Sequence, residues 1–380
     1  MHDKIFICNA RLVLETGILE NSAIQIENGR IVAYGALQFP GDTQVIDAQG
    51  AYVGPGFVDI HVHGGNGFHI CFQPKEAAAY FLRHGTTTLL AAPAYSMDLE
   101  KFLSAIRCVK AQLHDIPNLR GMYMEGPYTN PDYGANAHHN PWRGPVLPEQ
   151  YQALVDEAGS LAAVWVIAPE REDLLSFLEY ARKVNPSVQF AVGHSEATPE
   201  QIRSLGAFAP TLHTHITDAT GRQPVPAGTR GVGPDEHCLM TPEIYAEMIS
   251  DSCGIHVCAD MQKLVLYCKG VDRTILITDS TANNHPNPPA FAHVHDLNFD
   301  DMGGLAGSKL TMEQACRNVI AATGCSIVDA FKMASTNPAK ALGFDDIGSI
   351  SVNKKADLVF VDEQFQVQQV MLSGKLYSPQ

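Results

Sequence analysis

The stretch PGFVDIHVHGG at residues 55–65 joins a Pro/Gly entry, a buried strand-like run and a glycine-rich exit. Alternation with period two puts His61 and His63 on one face of such a strand, so both rings can reach one ion. A strand that ends in paired imidazoles is the arrangement expected where a barrel delivers side chains to its mouth.

Working outward, seven more apolar runs follow: TTTLLAA (86–92), LRGMYME (119–125), AAVWVIA (162–168), VQFAVGH (188–194), APTLHTH (209–215), GIHVC (254–258) and RTILITD (273–279). Amphipathic segments such as PKEAAAYFLRHG (74–85) and LEKFLSAIRCVKAQL (99–113) lie between them. This rhythm predicts an α/β fold, a (β/α)8 TIM-like barrel with its chemistry at the carboxyl ends of the strands. Residues 4–53 alternate like short strands broken by Gly/Asn turns, and ADLVFVD and QVQQVMLSGKLY near the end do the same. The expectation is one small β-sandwich domain built from residues 1–53 and 346–380, flanking a catalytic barrel over 54–345. A length of 380 residues suits that plan, since such a barrel takes about 250 residues.

Hydrophobic residues make up 45% and charged residues 18% of the chain, enough for a large core. The net charge of -15 argues against a nucleic-acid partner, which needs a basic face. It leaves room for one small anion held locally. The opening MHDKIFICNARLVL lacks the pattern of a secretory signal, and no run is long and apolar enough to cross a bilayer. Nine cysteines without CxxC pairing read as reduced thiols, which points to the cytoplasm.

The polar residues fall where a barrel would gather them. His61 and His63 end the first run, Glu125 the third, His194 the fifth, His215 the sixth and Asp279 the eighth. Singly each has an ordinary reading: a satisfied histidine, a capping glutamate, an Asp at a helix N-cap. Together they form the imidazole–carboxylate set that a divalent metal requires. His213 and His215 make a second His-x-His; His215 is nearer the strand's carboxyl end and is taken as the ligand, with His213 supporting. Zinc fits the donor set best, with one or two ions per subunit, and iron, manganese or cobalt also fit. His285, His293 and His295 read as a solvent-facing loop, and Trp142 and Arg143 as cover for the site or as packing.

These residues are the ones by which the chain resembles the amidohydrolase superfamily. PGFVDIHVHGG resembles its first-strand motif, and KKADLVFVD (354–362) its returning β-domain. MEGP, GHSEAT, THITDAT, GIHV, LITDS and LAGSKLTM resemble, in order and spacing, the N-acetylglucosamine-6-phosphate deacetylase family. The resemblance covers nearly the whole chain, and its superfamily-level motifs are the more specific ones. It implies that Glu125, His194 and His215 hold the principal metal, with His61 and His63 serving a second ion or leaving that position open. It implies that Asp279 is the catalytic acid/base and that His256 binds substrate and polarises its carbonyl. Thr217, Asp218 and Ala219 fall where the family touches the sugar phosphate, and Leu305 where it lines the acetyl pocket. A homodimer is implied as well.

Three departures stand at the sugar end. YGANAHHNPW replaces the family's Lys-Gly-x-His context, leaving Asn136 and His138 as alternatives. Asp218 stands where the family has Asn, a charge that would repel a phosphate. GRQPVPAGTRG replaces the family's Arg-Glu-Pro-Gly setting, so Arg222 aligns as the phosphate residue, with Arg230 second. These changes cluster at the sugar and phosphate end and leave the metal end intact; the resemblance implies deacetylation, with N-acetylglucosamine 6-phosphate as the substrate. Competing readings are a relative acting on N-acetylgalactosamine 6-phosphate, an unphosphorylated N-acetyl sugar or an N-acyl amino acid. A reading of another class is a non-catalytic metal-binding barrel. A dihydroorotase-like enzyme is disfavoured because AAVWVIAPE offers no lysine.

Overall fold

The structure is a computed structural model that describes residues 4–379 except 136, 224, 284 and 285. Eight parallel strands follow one another around a barrel in chain order: Phe57–Val62, Thr86–Ala91, Leu119–Met124, Ala162–Ile167, Gln189–Val192, Leu212–His213, Tyr245–Met248 and Thr274–Leu276. The ring closes where Val62 pairs with Ser280, and Asp279 N donates to His61 O at 3.0 Å. This is the (β/α)8 plan expected from the apolar runs, with one strand relocated.

That strand is the seventh. GIHVC forms no strand; the barrel uses Tyr245–Met248 instead. Its sequence YAEM carries a glutamate, which interrupts the apolar pattern and hides the strand. Glu247 is nevertheless fully buried, and burial pushes its carboxyl up to about 8, so it sits in the barrel as a neutral acid. Both its oxygens accept from the Tyr123 hydroxyl, at 3.0 and 2.9 Å.

The strand alternation decides which residues face the site. Met122 and Met124 pack outward with Phe102 and Ile106 of the helix Leu99–Gln112, whereas Tyr123 packs with Leu90, Val164 and Val166. Glu125, two residues past Tyr123, continues on that second side. The same helix is opened by Asp98, whose side chain accepts from Lys101 N at 2.9 Å. Gly193 is dictated by packing: a Cβ there would lie 1.9 Å from Thr214 Cγ2, so only glycine lets the fifth and sixth strands approach just before His194.

Strands from the two ends of the chain share a second, mixed eight-stranded sheet. Tyr52–Pro55 pairs parallel with Lys4–Leu14 on one side and antiparallel with Leu358–Val361 on the other. Its strands enclose one core with Ile7, Leu12, Ile24, Ile26, Leu358 and Met371. The barrel is joined to this sheet through Phe57, Phe331 and Phe365, whose ring centroids lie 5.2–6.0 Å apart. Among the described residues no helix is long and apolar enough to cross a membrane.

Candidate metal centre

The strand exits bring six side chains together. His194 Nε2 lies 2.8 Å and His215 Nε2 3.4 Å from Glu125 Oε1. His63 Nε2 lies 3.3 Å from Glu125 Oε2 and 3.1 Å from Asp279 Oδ1. His61 Nε2 lies 3.7 Å from Glu125 Oε1 and 3.8 Å from Asp279 Oδ1. Two ligand groups result, Glu125–His194–His215 and His61–His63–Asp279, each with its donor atoms within 4.8 Å of one another. The Glu125 carboxylate stands between them.

The arrangement fits a cation on three counts. Metal–ligand bonds of about 2.0–2.2 Å set neighbouring donors on the order of 3 to 3.5 Å apart, which is the spacing seen. The rings are also aimed. His63 Nδ1 faces Ala92 O at 2.9 Å, His194 Nδ1 faces Tyr133 O at 3.2 Å, and His215 Nδ1 faces Asp218 O at 3.2 Å. A carbonyl can only accept, so each Nδ1 carries a proton and each Nε2 is the nitrogen turned inward, free to ligate once it holds no proton. His194 Nε2 and His215 Nε2 are 3.0 Å apart, a contact that needs a proton or a cation between them.

Electrostatics make the same demand. Burial would raise Glu125, but His194 and His63 hold its carboxyl well below the usual carboxylate range. Burial would likewise raise Asp279, and His63 and His61 keep it below its ordinary value. Burial would lower His63 and His215, yet Glu125 and Asp279 lift them to about 10 and about 9. His61 is the exception, held at about 4 by burial. Two ionised carboxylates thus draw two protons onto the imidazoles of the bare cluster. His194, His215 and Asp279 have positive φ, at 46°, 31° and 47°. Such backbone costs about 1–3 kcal/mol per residue and clusters at functional sites.

The cluster opens into a cleft of about 1140 Å³. His256, Asp218, Ala219 and Leu305 line it, as the sequence suggested. His256 Nδ1 lies 3.3 Å from Asp218 Oδ2 and its Nε2 3.2 Å from Gly307 O. Burial would lower this imidazole, but Asp218 raises it above its ordinary value. Other expected residues stand elsewhere. His138 is exposed on a short turn, its ring tilted against that of His139 with centroids 4.0 Å apart. Thr217 is not in the lining. Arg222 and Arg230 both turn to Glu236, at 3.6 and 3.2 Å, and lie outside the lining, because that carboxylate competes for them at the surface. Asn136 and His285 lie outside the described residues. His213 Nε2 faces Asp235 Oδ1 at 3.0 Å rather than the cluster. Trp142 is buried with Nε1 on Met97 O, Arg143 pairs with Asp132, and His293 and His295 are exposed.

Sequence reasoning passed over several contributors. Tyr95 lines the cleft, packs its ring 4.6 Å from His194 and donates to Ala135 O at 2.6 Å. It follows the second strand in AAPAYS, a strand exit that holds no acidic or imidazole group and so drew no attention. His69 lines the mouth; burial holds it at about 4, and its Nδ1 accepts from Cys71 N. The hairpin of Leu297–Phe299 and Leu305–Ser308 brings Asp300 and Asp301 to the rim. No hydrophobic period marks those aspartates.

The family model for amidohydrolases matches residues 52–377. The N-acetylgalactosamine-6-phosphate deacetylase of Escherichia coli O157:H7 is 28% identical, over 97% of this chain and 98% of its own. The N-acetylglucosamine-6-phosphate deacetylase of Bacillus subtilis (strain 168) is 26% identical, over 99% and 98%. Among solved structures, the N-acetylglucosamine-6-phosphate deacetylase of Thermotoga maritima has a TM-score of 0.80 at 27% identity, covering 98% of this chain and 99% of that one. A mutant of the Mycobacterium smegmatis enzyme in complex with N-acetyl-D-glucosamine-6-phosphate has a TM-score of 0.82 at 26% identity, covering 99% of each chain.

Proposed function

This chain belongs to the amidohydrolase family, and from that premise we propose that it removes the acetyl group from N-acetylglucosamine 6-phosphate, giving acetate and the amino sugar phosphate. The observation that carries the reading is the convergence of Glu125, His194, His215, His63 and Asp279 at the floor of one cleft, with His61 buried directly behind them. Relatives named for deacetylating N-acetyl hexosamine 6-phosphates, matched along nearly their full length, supply the substrate class.

Glu125, His194 and His215 would hold the principal ion, and His61 and His63 would offer a second position beside Asp279. A divalent cation there, zinc by its preference for imidazole with carboxylate, supplies Lewis acidity and a water acidic enough to ionise near neutral pH. Amide hydrolysis is otherwise slow, and the remaining work falls to this chain's side chains. Asp279 is ionised, so it can take a proton from the attacking water. It returns that proton to the nitrogen as the C–N bond breaks, so the water's oxygen leaves in acetic acid beside a neutral amine, and the acid's proton then passes to solvent or to the amine to leave acetate. His256, whose affinity for a proton Asp218 raises, would donate to the acetyl oxygen from the cleft wall by turning its Nε2 from Gly307 O to the substrate. Leu305 and Ala219 supply apolar surface for the methyl group. Dimerisation and a cytoplasmic setting accompany this reading, supported by the family likeness and by nine cysteines without a disulfide.

The test is acetate release by the zinc-loaded protein from N-acetylglucosamine 6-phosphate, its galactosamine epimer and both unphosphorylated sugars. Turnover fastest with the glucosamine phosphate supports the proposal. No acetate from any of the four sinks it, and preference for the epimer transfers the chain to the reaction named for the Escherichia coli relative.

A further inference from the structure

The three inward-aimed imidazoles differ in what aims them. For His63 the carbonyl belongs to Ala92 at the exit of the neighbouring strand, and for His215 to Asp218 in its own turn. For His194 it belongs to Tyr133, on the long segment that follows Glu125. That segment is also cleft wall, through Gly134 and Ala135. It packs so closely that a Cβ on Gly134 would lie 2.7 Å from His194 Nδ1.

The segment is fastened to the turn that carries His194. Asn130 N donates to His194 O at 2.8 Å, and Asn130 Nδ2 donates to Glu170 Oε1 at 2.9 Å. Glu170 accepts in turn from Ser195 Oγ at 2.7 Å and from Glu196 N at 2.8 Å. The last tie is made by the residue that carries the aiming carbonyl: the Tyr133 hydroxyl donates to Glu196 Oε2 at 2.8 Å, while Glu196 Oε1 accepts from Gln223 at 3.1 Å. The hydroxyl rests directly on Gly221, where a Cβ would stand 1.9 Å from it.

We infer that Tyr133 and Glu196 are positioning residues: their hydrogen bond holds the carbonyl that fixes the proton of His194 on Nδ1, and so sets the divalent-cation affinity of the Glu125–His194–His215 position. The inference rests on the metal reading above. Groups that orient a ligating histidine are worth about 10–100-fold in metal affinity. A purely structural tie would instead lower thermal stability and leave ion affinity alone. The segment's second face, at the cleft wall, means that whatever presses on Gly134 and Ala135 acts on the same ion position.

The experiment titrates the metal-free protein with zinc against a chromophoric chelator, in wild type, Tyr133→Phe, Glu196→Ala and the double variant. His194→Asn identifies the binding step that belongs to this position, whether the protein takes up one ion or two. That step should weaken about 10–100-fold in each single variant. The double variant should be no worse than the poorer single one, because both remove one bond. Gly221→Ala, which displaces the Tyr133 hydroxyl while leaving both Tyr133 and Glu196 in the sequence, should weaken the same step. The His61–His63–Asp279 step, where present, should stay within about threefold. Wild-type affinity in Tyr133→Phe, or equal weakening of both steps, overturns the inference while leaving the metal reading intact. A wild-type protein that binds no divalent cation removes the metal reading itself.

Discussion

Filling both ion positions of the metal-free protein with zinc at pH 6 should release at least two protons per active site into solvent, those of His63 and His215. The number comes from the cluster. Although burial works against it, Glu125 and Asp279 raise His63 to about 10 and His215 to about 9, whereas burial leaves His61 at about 4. At pH 6 the first two are therefore protonated and the third is not. Each must surrender its Nε2 proton to ligate, and that proton has nowhere else in the cluster to go. Release by the imidazoles should fall to about one near pH 9.5 and vanish near pH 11, while zinc affinity at each position climbs roughly tenfold per pH unit below pH 9. Calorimetry at fixed pH in buffers of different ionisation heat reads the proton count as a slope. A zero slope at pH 6 would refute the argument, for it would mean that the carboxylates do not hold the imidazoles as cations. The same shifts bear on stability. A histidine whose folded pKa is raised stabilises the fold fully below about 6.5, and that contribution is lost as pH climbs through its folded value. The metal-free protein should therefore lose melting temperature between pH 7 and 10 more steeply than the zinc-loaded one.

Other consequences can be checked as directly. Asp279→Asn should lower kcat by about 10²–10⁴, the range for a positioned acid/base, while zinc content by elemental analysis persists; activity within tenfold of wild type would remove Asp279 from the proton path. Glu247→Gln keeps an acceptor for Tyr123 but cannot ionise. Because burial raises Glu247 to about 8, the wild-type acid loses stability as pH rises from about 4.5 to 8. The melting-temperature gap in favour of the glutamine variant should widen across that window, and a constant gap would argue against a buried neutral acid. Arg222→Ala and Arg230→Ala remove only exposed pairings to Glu236, so KM for N-acetylglucosamine 6-phosphate should change less than about threefold. A tenfold rise confined to phosphorylated substrates would show that one of them reaches the cleft.

The barrel was legible because seven of its eight strands are apolar runs ending at a chemical or turn signal. The eighth member of the set, Tyr245–Met248, was missed because Glu247 breaks the pattern; only the surrounding structure, with Tyr123 and the barrel interior, makes that glutamate neutral. The convergent cluster was legible for the complementary reason. His and Glu at strand ends are ordinary singly, but six at barrel-consistent positions leave few places to go except one mouth. The sugar end was not legible to the same degree. Asp218, His256 and Leu305 line the cleft, but the partner of an arginine is a matter of which carboxylate lies nearest in space, and Glu236 captures both Arg222 and Arg230. Tyr133 escaped notice because it acts through its main-chain oxygen, and a backbone atom leaves no trace in residue type.

The pairing of Tyr52–Pro55 with Leu358–Val361 has a consequence for how the protein is born. On the ribosome, the first strand segments emerge hundreds of residues before their antiparallel neighbours are translated. The terminal sheet therefore cannot be completed during most of synthesis, however soon the barrel strands begin to associate. Ile7, Leu12, Ile24 and Ile26 face water or a chaperone until the closing strands arrive. Stalled or prematurely terminated chains should thus be the aggregation-prone and protease-sensitive species, even when every residue of the metal cluster has already been made.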